Sequence, residues 1–359
     1  MRNKKLAIWA GILLILAISI RLYSASSLRV ENGYSTAIYP PFAAFLRHLL
    51  GWLPFSFGDI LYGAIVAWLL WKLVKGTIAL FKKRVNRQSF VRGCLKTVVI
   101  LLATYVFFNA FWGINYNRRG IAQQLQLKME KYSLDDLKNI NGMLVAKVNE
   151  AKRSLINQHN DYPTSKQMFS KVQEAYAVID SQYPFLQYHT RSLKPSMWGW
   201  LGNYLGFMGY YNPFTGEAQV NTTAPKFLQP YTSCHEVAHQ LGYAKEMEAN
   251  FVGYLAASSS KDTLFHYSVY LDLFLYSNRN LYSSDSAAAK IFAKQLLPEV
   301  RDDLKLWRDF NRRHRNPVEP LIRWLYGKYL ENNEQPQGVL SYDEVTSFLI
   351  AYYKKFGKI

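Results

Sequence analysis

Three apolar runs in the first third of the chain limit its possible folds more than any other feature. "LAIWAGILLILAISI" fills 6–20, "GDILYGAIVAWLLWKLV" fills 58–74 and "TVVILLATYVFFNAFWGI" fills 97–114. A bilayer core of ~30 Å takes roughly 20 helical residues, and lipid offers the backbone no hydrogen-bonding partner, so such runs must be helices. With their flanks they give expected spans of approximately 6–23, 57–75 and 97–115. The first run also has the look of a signal peptide, since "YSAS" sets small residues behind it. Its length and the closeness of the second run favour an anchor.

The charge sits where a membrane protein would carry it. The formal net charge is +18 over 359 residues. Residues 1–115 hold fourteen Lys and Arg against Glu31 and Asp59, a net of +12, which leaves 18 − 12 = +6 for 116–359. Two-thirds of the excess therefore lies in the most apolar third, and no DNA or RNA recognition motif accompanies it, which excludes a nucleic-acid partner. Eight basic residues crowd the segment between the second and third runs, three precede the first, and only Arg29 and Arg47 lie well inside the segment between the first and second. Lys- and Arg-rich short loops stay in the cytoplasm. The expected topology is a multi-pass protein of the cell membrane, with a cytoplasmic N-terminus and residues 116–359 as one extracytoplasmic domain. Cys94 and Cys234 then lie far apart, and no disulfide is expected.

Beyond residue 115 the apolar spacing is mostly helical. Leu137, Ile140, Leu144, Val145 and Val148 mark one helix over 135–157, and 165–182 marks another. After residue 232 the pattern predicts helices over 232–241, 245–258, 265–278, 286–295, 298–312, 317–331 and 341–356. Between these blocks, "FTGEAQVN" (214–221) alternates like a short strand, expected at a sheet edge. The fold class is α+β with helix dominant.

The chemistry is concentrated in "HEVAHQLGYAKEMEAN" (235–250). Pro230 with Thr232 or Ser233 signals a helix start and Gly242 a stop, so His235 and His239 share one helix face, one turn apart. Both imidazoles can reach one ion at ~2.0–2.1 Å. Glu236 can stand beside a water polarised by that ion and act as its base. A tetrahedral ion needs a third protein ligand, and the next helix opens with Glu246 and Glu248. Glu246 lies one turn from Asn250, so one helix can offer a ligand and a hydrogen-bond acceptor for a histidine N–H. Glu248 would then point elsewhere. Cys234 projects roughly 100° away from His235 on a helix and reads as a small buried thiol.

His-Glu-x-x-His followed by Glu-x-x-Ala-Asn resembles the gluzincin zinc metallopeptidases, and more nearly their membrane-linked members with Glu-x-x-Ala-Asp. That resemblance implies a zincin-like domain with Zn2+ on His235, His239 and Glu246, Glu236 as catalytic base and Asn250 supporting a ligand. Two departures stand out: the interval from His239 to Glu246 is short, and the supporting acid is an amide. The metzincin spacing would place a ligand at 245, where this chain has Lys245. More broadly, the three runs, "FTGEAQVN", the motif and "GVLSYDEVTSFLIAYY" (338–353) resemble a bacterial membrane-protein family known only as a domain of unknown function.

In such peptidases the substrate lies extended along an edge strand beside the zinc helix. Glu217, Ala218, Gln219, Val220 and Asn221 are the expected substrate-binding residues, with Glu217 able to hold a peptide N-terminus. His266, Tyr267, Tyr282 and Tyr342 are candidates to stabilise an oxyanion. The reading is a membrane-anchored zinc peptidase with the bilayer and a peptide or protein as partners; the alternative is a zinc-stabilised scaffold or cell-envelope binder without catalysis. A basic stretch, "RDFNRRHRN" (308–316), reads as a solvated helix face.

Overall fold

The structure is a computed structural model and describes residues 2–82, 86–158, 161–336, 338 and 344–359. Helix α1 (Arg2–Ser24), a helical segment ending in α2 (Tyr39–Leu50), α3 (Phe57–Phe81) and α4 (Arg87–Phe111) make up the first third. Helices α1, α3 and α4 are long and apolar enough to cross a membrane. α4 starts ten residues before the expected span because Asn86 and Ser89 form a capping box ahead of the apolar run. It stops at Phe111, and Trp112 at φ −161° breaks the helix. α1 and α4 pack along each other.

The segment between the first two spans is not a plain loop. A wide-turn helix over Val30–Ile38 runs into α2, which opens with Pro40 and Pro41. There Glu31 is buried against Arg118, with Oε1 to Nη2 at 2.7 Å and Oε2 to Nε at 3.1 Å.

The helical core comes next. α5 (Leu134–Gln158) and α6 (Ser165–Gln182) precede the sheet. After it come α8 (Gln229–Gln240), α9 (Glu246–Ser258), α10 (Thr263–Ser284), α11 (Ser286–Lys294), α12 (Pro298–His314), α13 (Glu319–Asn332) and α14 (Val345–Phe356). A short helix, α7 (Gly199–Leu205), lies inside the sheet region. α10 is the axis: α5, α8 and α9 all pack on it, and its Leu271, Leu273 and Phe274 are buried among Leu144, Val148, Val237 and Phe251. Each of those side chains contributes roughly 1.5–3 kcal/mol by leaving water. The expected helix dominance holds, with 76% of the chain helical.

The sheet corrects one expectation. β1 (Leu193–Pro195), β2 (Gly209–Asn212) and β3 (Glu217–Val220) stand in the order β1-β3-β2. The stretch expected at an edge is therefore the centre, parallel to β1 and antiparallel to β2. Ala218 N–H donates to Ser192 O at 2.8 Å on one side, and Asn221 N–H donates to Met208 O at 2.7 Å on the other. Its main chain has no free side for a peptide. Alternation alone cannot tell a central strand from an edge, because both show period two.

Glu217, Ala218, Gln219, Val220 and Asn221 are all buried, so they do not line an open groove. Ala218 and Val220 face α8. Glu217 faces the other way, where Lys194 Nζ donates to its Oε1 at 2.6 Å and Phe57 N–H donates to the same oxygen at 3.1 Å. The Gly58 N–H donates to Oε2. Glu217 thus caps α3 rather than a substrate, as carboxylates do at helix N-termini.

Candidate metal centre

α8 begins a turn earlier than the Thr and Ser signals implied. Both hydroxyls bond back into the helix instead: Thr232 to Leu228 O at 3.0 Å and Ser233 to Gln229 O at 2.7 Å. The helix opens with Pro230 in its first turn, where a missing N–H costs nothing. Gly242, at φ +86°, ends it and turns the chain into α9. That turn sets the first residue of α9 against the middle of α8.

His235, His239 and Glu246 converge there. One ligand atom from each lies within 4.8 Å of the others, and all three residues are buried. Glu246 Oε2 is 3.3 Å from His235 Nε2 and 3.6 Å from His239 Nε2. Tetrahedral ligands at ~2.1 Å from an ion stand roughly 3.4 Å apart, so these spacings suit a single ion. Glu236 Oε2 is buried without a hydrogen-bonding partner among the described residues. The residues present fit a metal ion.

Electrostatics lead to the same place. Burial opposes the Glu246 charge, yet the two imidazoles outweigh it and hold the carboxyl well below the carboxylate range. Burial also opposes charge on His239, but Glu246, Glu236 and the Tyr243 carbonyl push its imidazole up to about 9. Burial pushes Glu236 up to about 7, against the pull of both histidines. The carboxylates thus favour positive charge on the His239 imidazole, and a bound cation would take the place of that proton.

The surroundings fix the ligands. His239 Nδ1 pairs with Tyr243 O at 2.7 Å, which leaves Nε2 facing Glu246. Trp112 Nε1–H donates to His239 O at 3.1 Å, and Tyr39 O–H donates to Gln240 O at 3.0 Å. Tyr326 on α13 donates to Glu246 Oε1 at 2.7 Å, and Gln335 accepts from Glu246 N–H at 2.9 Å. Asn250 is buried one turn along α9, and its main-chain carbonyl accepts from Tyr231 O–H at 3.0 Å. Glu248 is turned away from the group: a Cβ on Gly120 would fall 2.0 Å from its Oε1.

Glu236 lies against β2, one of the sheet's two edge strands. A Cβ on Gly209 of β2 would come within 2.6 Å of Glu236 Oε1, so only glycine fits there. The hydrogen bond from Asn221 to Met208 sets the ladder register, and alternate residues turn outward. Gly209 and Tyr211 thus aim their N–H and C=O at the open side of β2.

Of the oxyanion candidates, two are committed elsewhere. His266 Nε2 pairs with Ser260 O at 2.7 Å, and Tyr267 O–H donates to Asp303. Tyr282 is more than half exposed on α10 beside Lys290. Tyr342 lies outside the described residues. Tyr326, Trp112, Tyr39 and Gly209 are absent from the sequence reading; each reaches the site by long-range packing that leaves no local signal.

Fold and site together define a protein with three candidate membrane spans and a helical domain whose His/His/Glu group can hold a metal ion. The family described as Protein of unknown function (DUF3810) matches residues 34–350, and the chain belongs to it. No curated protein and no solved structure matches the chain.

Proposed function

We propose that the protein is a membrane-anchored zinc metallopeptidase whose 116–359 domain works on the extracytoplasmic side. The carrying observation is Glu236: a buried carboxylate beside a three-ligand group, with one oxygen unpartnered and an edge strand at the other. A zinc ion held by His235, His239 and Glu246 would polarise a carbonyl and acidify a water. Tyr326 holds one oxygen of Glu246 and leaves the other towards the imidazoles. Glu236 takes the proton of the attacking water and returns it to the leaving amine. The outward main-chain groups of Gly209 and Tyr211 offer an extended peptide a partner strand, a role moved here from β3.

The orientation rests on the eleven basic residues assigned to the inner side. The segment between the first two spans packs on α8, which supports one common side for it and the domain. The second reading, a zinc-stabilised scaffold, needs no base beside the ion. The deciding experiment is metal analysis of the full chain in lipid nanodiscs, with a peptide-library cleavage assay on wild type and Glu236→Gln. Cleavage by wild type alone, at one zinc per chain, supports the peptidase; one zinc with no cleavage by either turns to the scaffold.

A further inference from the structure

Three helices around the metal centre are two-faced. α2 turns Tyr39 and Arg47 inward, and both donate to Gln240 O at the end of the metal helix, each at 3.0 Å. Its other face leaves Phe45 and Leu49 bare. α13 turns Tyr326 inward to Glu246, while Leu321, Trp324 and Leu325, spaced i, i+3, i+4, stay exposed. α7 buries Gly199 and Gly202 and exposes Trp200 and Leu201. Three residues beyond its Gly206 cap the chain enters β2 at Gly209, against Glu236.

Each bare face adjoins an end of a span. Phe42 of α2 meets Phe111, the last residue of α4, edge to face at 4.8 Å. Tyr329 of α13 meets Phe108 of α4 at 6.3 Å, and Arg21 near the end of α1 pairs with Glu334 just past α13 at 3.7 Å. Trp198, just ahead of α7, donates its indole N–H to Asp59 O at 3.0 Å. A Cβ on Gly63 would come within 3.2 Å of its ring. Gly63 lies six residues into α3, ~9 Å along its axis at 1.5 Å per residue. Apolar side chains at this level, continuous with membrane spans and rich in Trp, face the headgroup and acyl boundary of a bilayer.

We infer that α2, α7 and α13 form a collar seated in the bilayer interface on the domain's side, with the metal centre directly above it. The partner of these faces is lipid, not a second protein: each helix that bears one touches the end of a span, and lipid covers the spans. The exposed face of a soluble helix would carry charge in place of Trp324, Trp200 and Leu321. Under the peptidase reading, on which this clause rests, the polypeptide reaching β2 is one held at the membrane surface.

The test needs no activity, so its failure and that of the peptidase reading are separable. In a Cys94→Ser, Cys234→Ala background, single spin labels are placed at Trp200→Cys, Trp324→Cys, Leu73→Cys of α3 and Arg312→Cys of α12. The full chain is measured in nanodiscs of phosphatidylethanolamine and phosphatidylglycerol against oxygen and an aqueous nickel chelate. Labels at 200 and 324 should show an oxygen-to-nickel accessibility ratio several-fold above that at 312 and close to that at 73. A ratio matching 312 at either position overturns the collar. Leu201→Cys and Leu321→Cys replace any variant that does not fold.

Discussion

Trp112 follows the last residue of α4, and its indole N–H donates to the main-chain carbonyl of His239 at 3.1 Å. The end of a candidate membrane span thus touches a residue of the group that can hold a metal ion. The two rings also meet edge to face at 5.8 Å. Trp112→Phe keeps the ring and removes the donor. One hydrogen bond contributes ~0.5–1.5 kcal/mol, so zinc affinity should fall roughly two- to tenfold. Titration against a competing chelator reads it; unchanged affinity would confine the indole to ending the helix.

The two glutamates of α9 should separate cleanly. Glu246→Gln should weaken zinc by more than the ~10–100-fold typical of a residue that merely supports a ligand. Glu248→Gln should leave affinity nearly unchanged, because that side chain is turned to Gly120. His235→Ala and His239→Ala should each abolish stoichiometric metal. Elemental analysis of the four purified variants is the check, and the reverse ranking of the glutamates would move the ligand role to Glu248.

Catalysis and metal binding should come apart at Glu236. Glu236→Gln should retain one zinc per chain and lose hydrolysis by about 10²–10⁴-fold, the usual scale of general acid–base catalysis. Gly209→Ala should do the same by another route: its Cβ would sit 2.6 Å from Glu236 Oε1 and 2.9 Å from Gln219 O, so the carboxylate must move. Full activity in Gly209→Ala would remove β2 from the site.

Acid stability should trace to Glu31. Burial opposes its charge, but Arg118 and the N–H groups of Gly120 and Arg119 outweigh this and lower its pKa below the ordinary 4.5. A carboxyl with a depressed folded pKa contributes stability that is present above pH 4.5 and lost as pH falls through the folded value. Melting temperature should therefore drop below pH 4.5, and Glu31→Gln should flatten that drop while lowering stability at pH 7. Arg118→Met, which strands a buried carboxylate, should cost about 3–5 kcal/mol. A wild-type acid slope in Glu31→Gln would assign the transition to other groups.

Much of this was readable from local pattern. The apolar runs mark α1, α3 and α4, and the i, i+4 histidines with Glu246 mark the group that converges. Pairing partners were not readable. "FTGEAQVN" alternates whether one or both of its sides are covered, and β1 and β2 are too short to announce themselves. Tyr326 lies 80 residues from Glu246 and Trp112 lies 127 from His239, beyond any periodicity. Glu217 looked available for a substrate because its buried partner, Lys194, and the N–H groups it caps belong to different elements.

That cap on α3 bears on the order of assembly. Glu217, Lys194 and Gln219 form a polar face whose partners are Ser56, Phe57, Gly58 and the carbonyls of Leu50 and Phe55. A chain truncated to residues 116–359 would leave a carboxylate and an ammonium without the backbone groups they serve. α3 precedes the sheet in the chain, so its N-terminal end can be in place before β3 is made. A fragment that begins at residue 116 would therefore lack the template, the capped end of α3, on which the sheet closes.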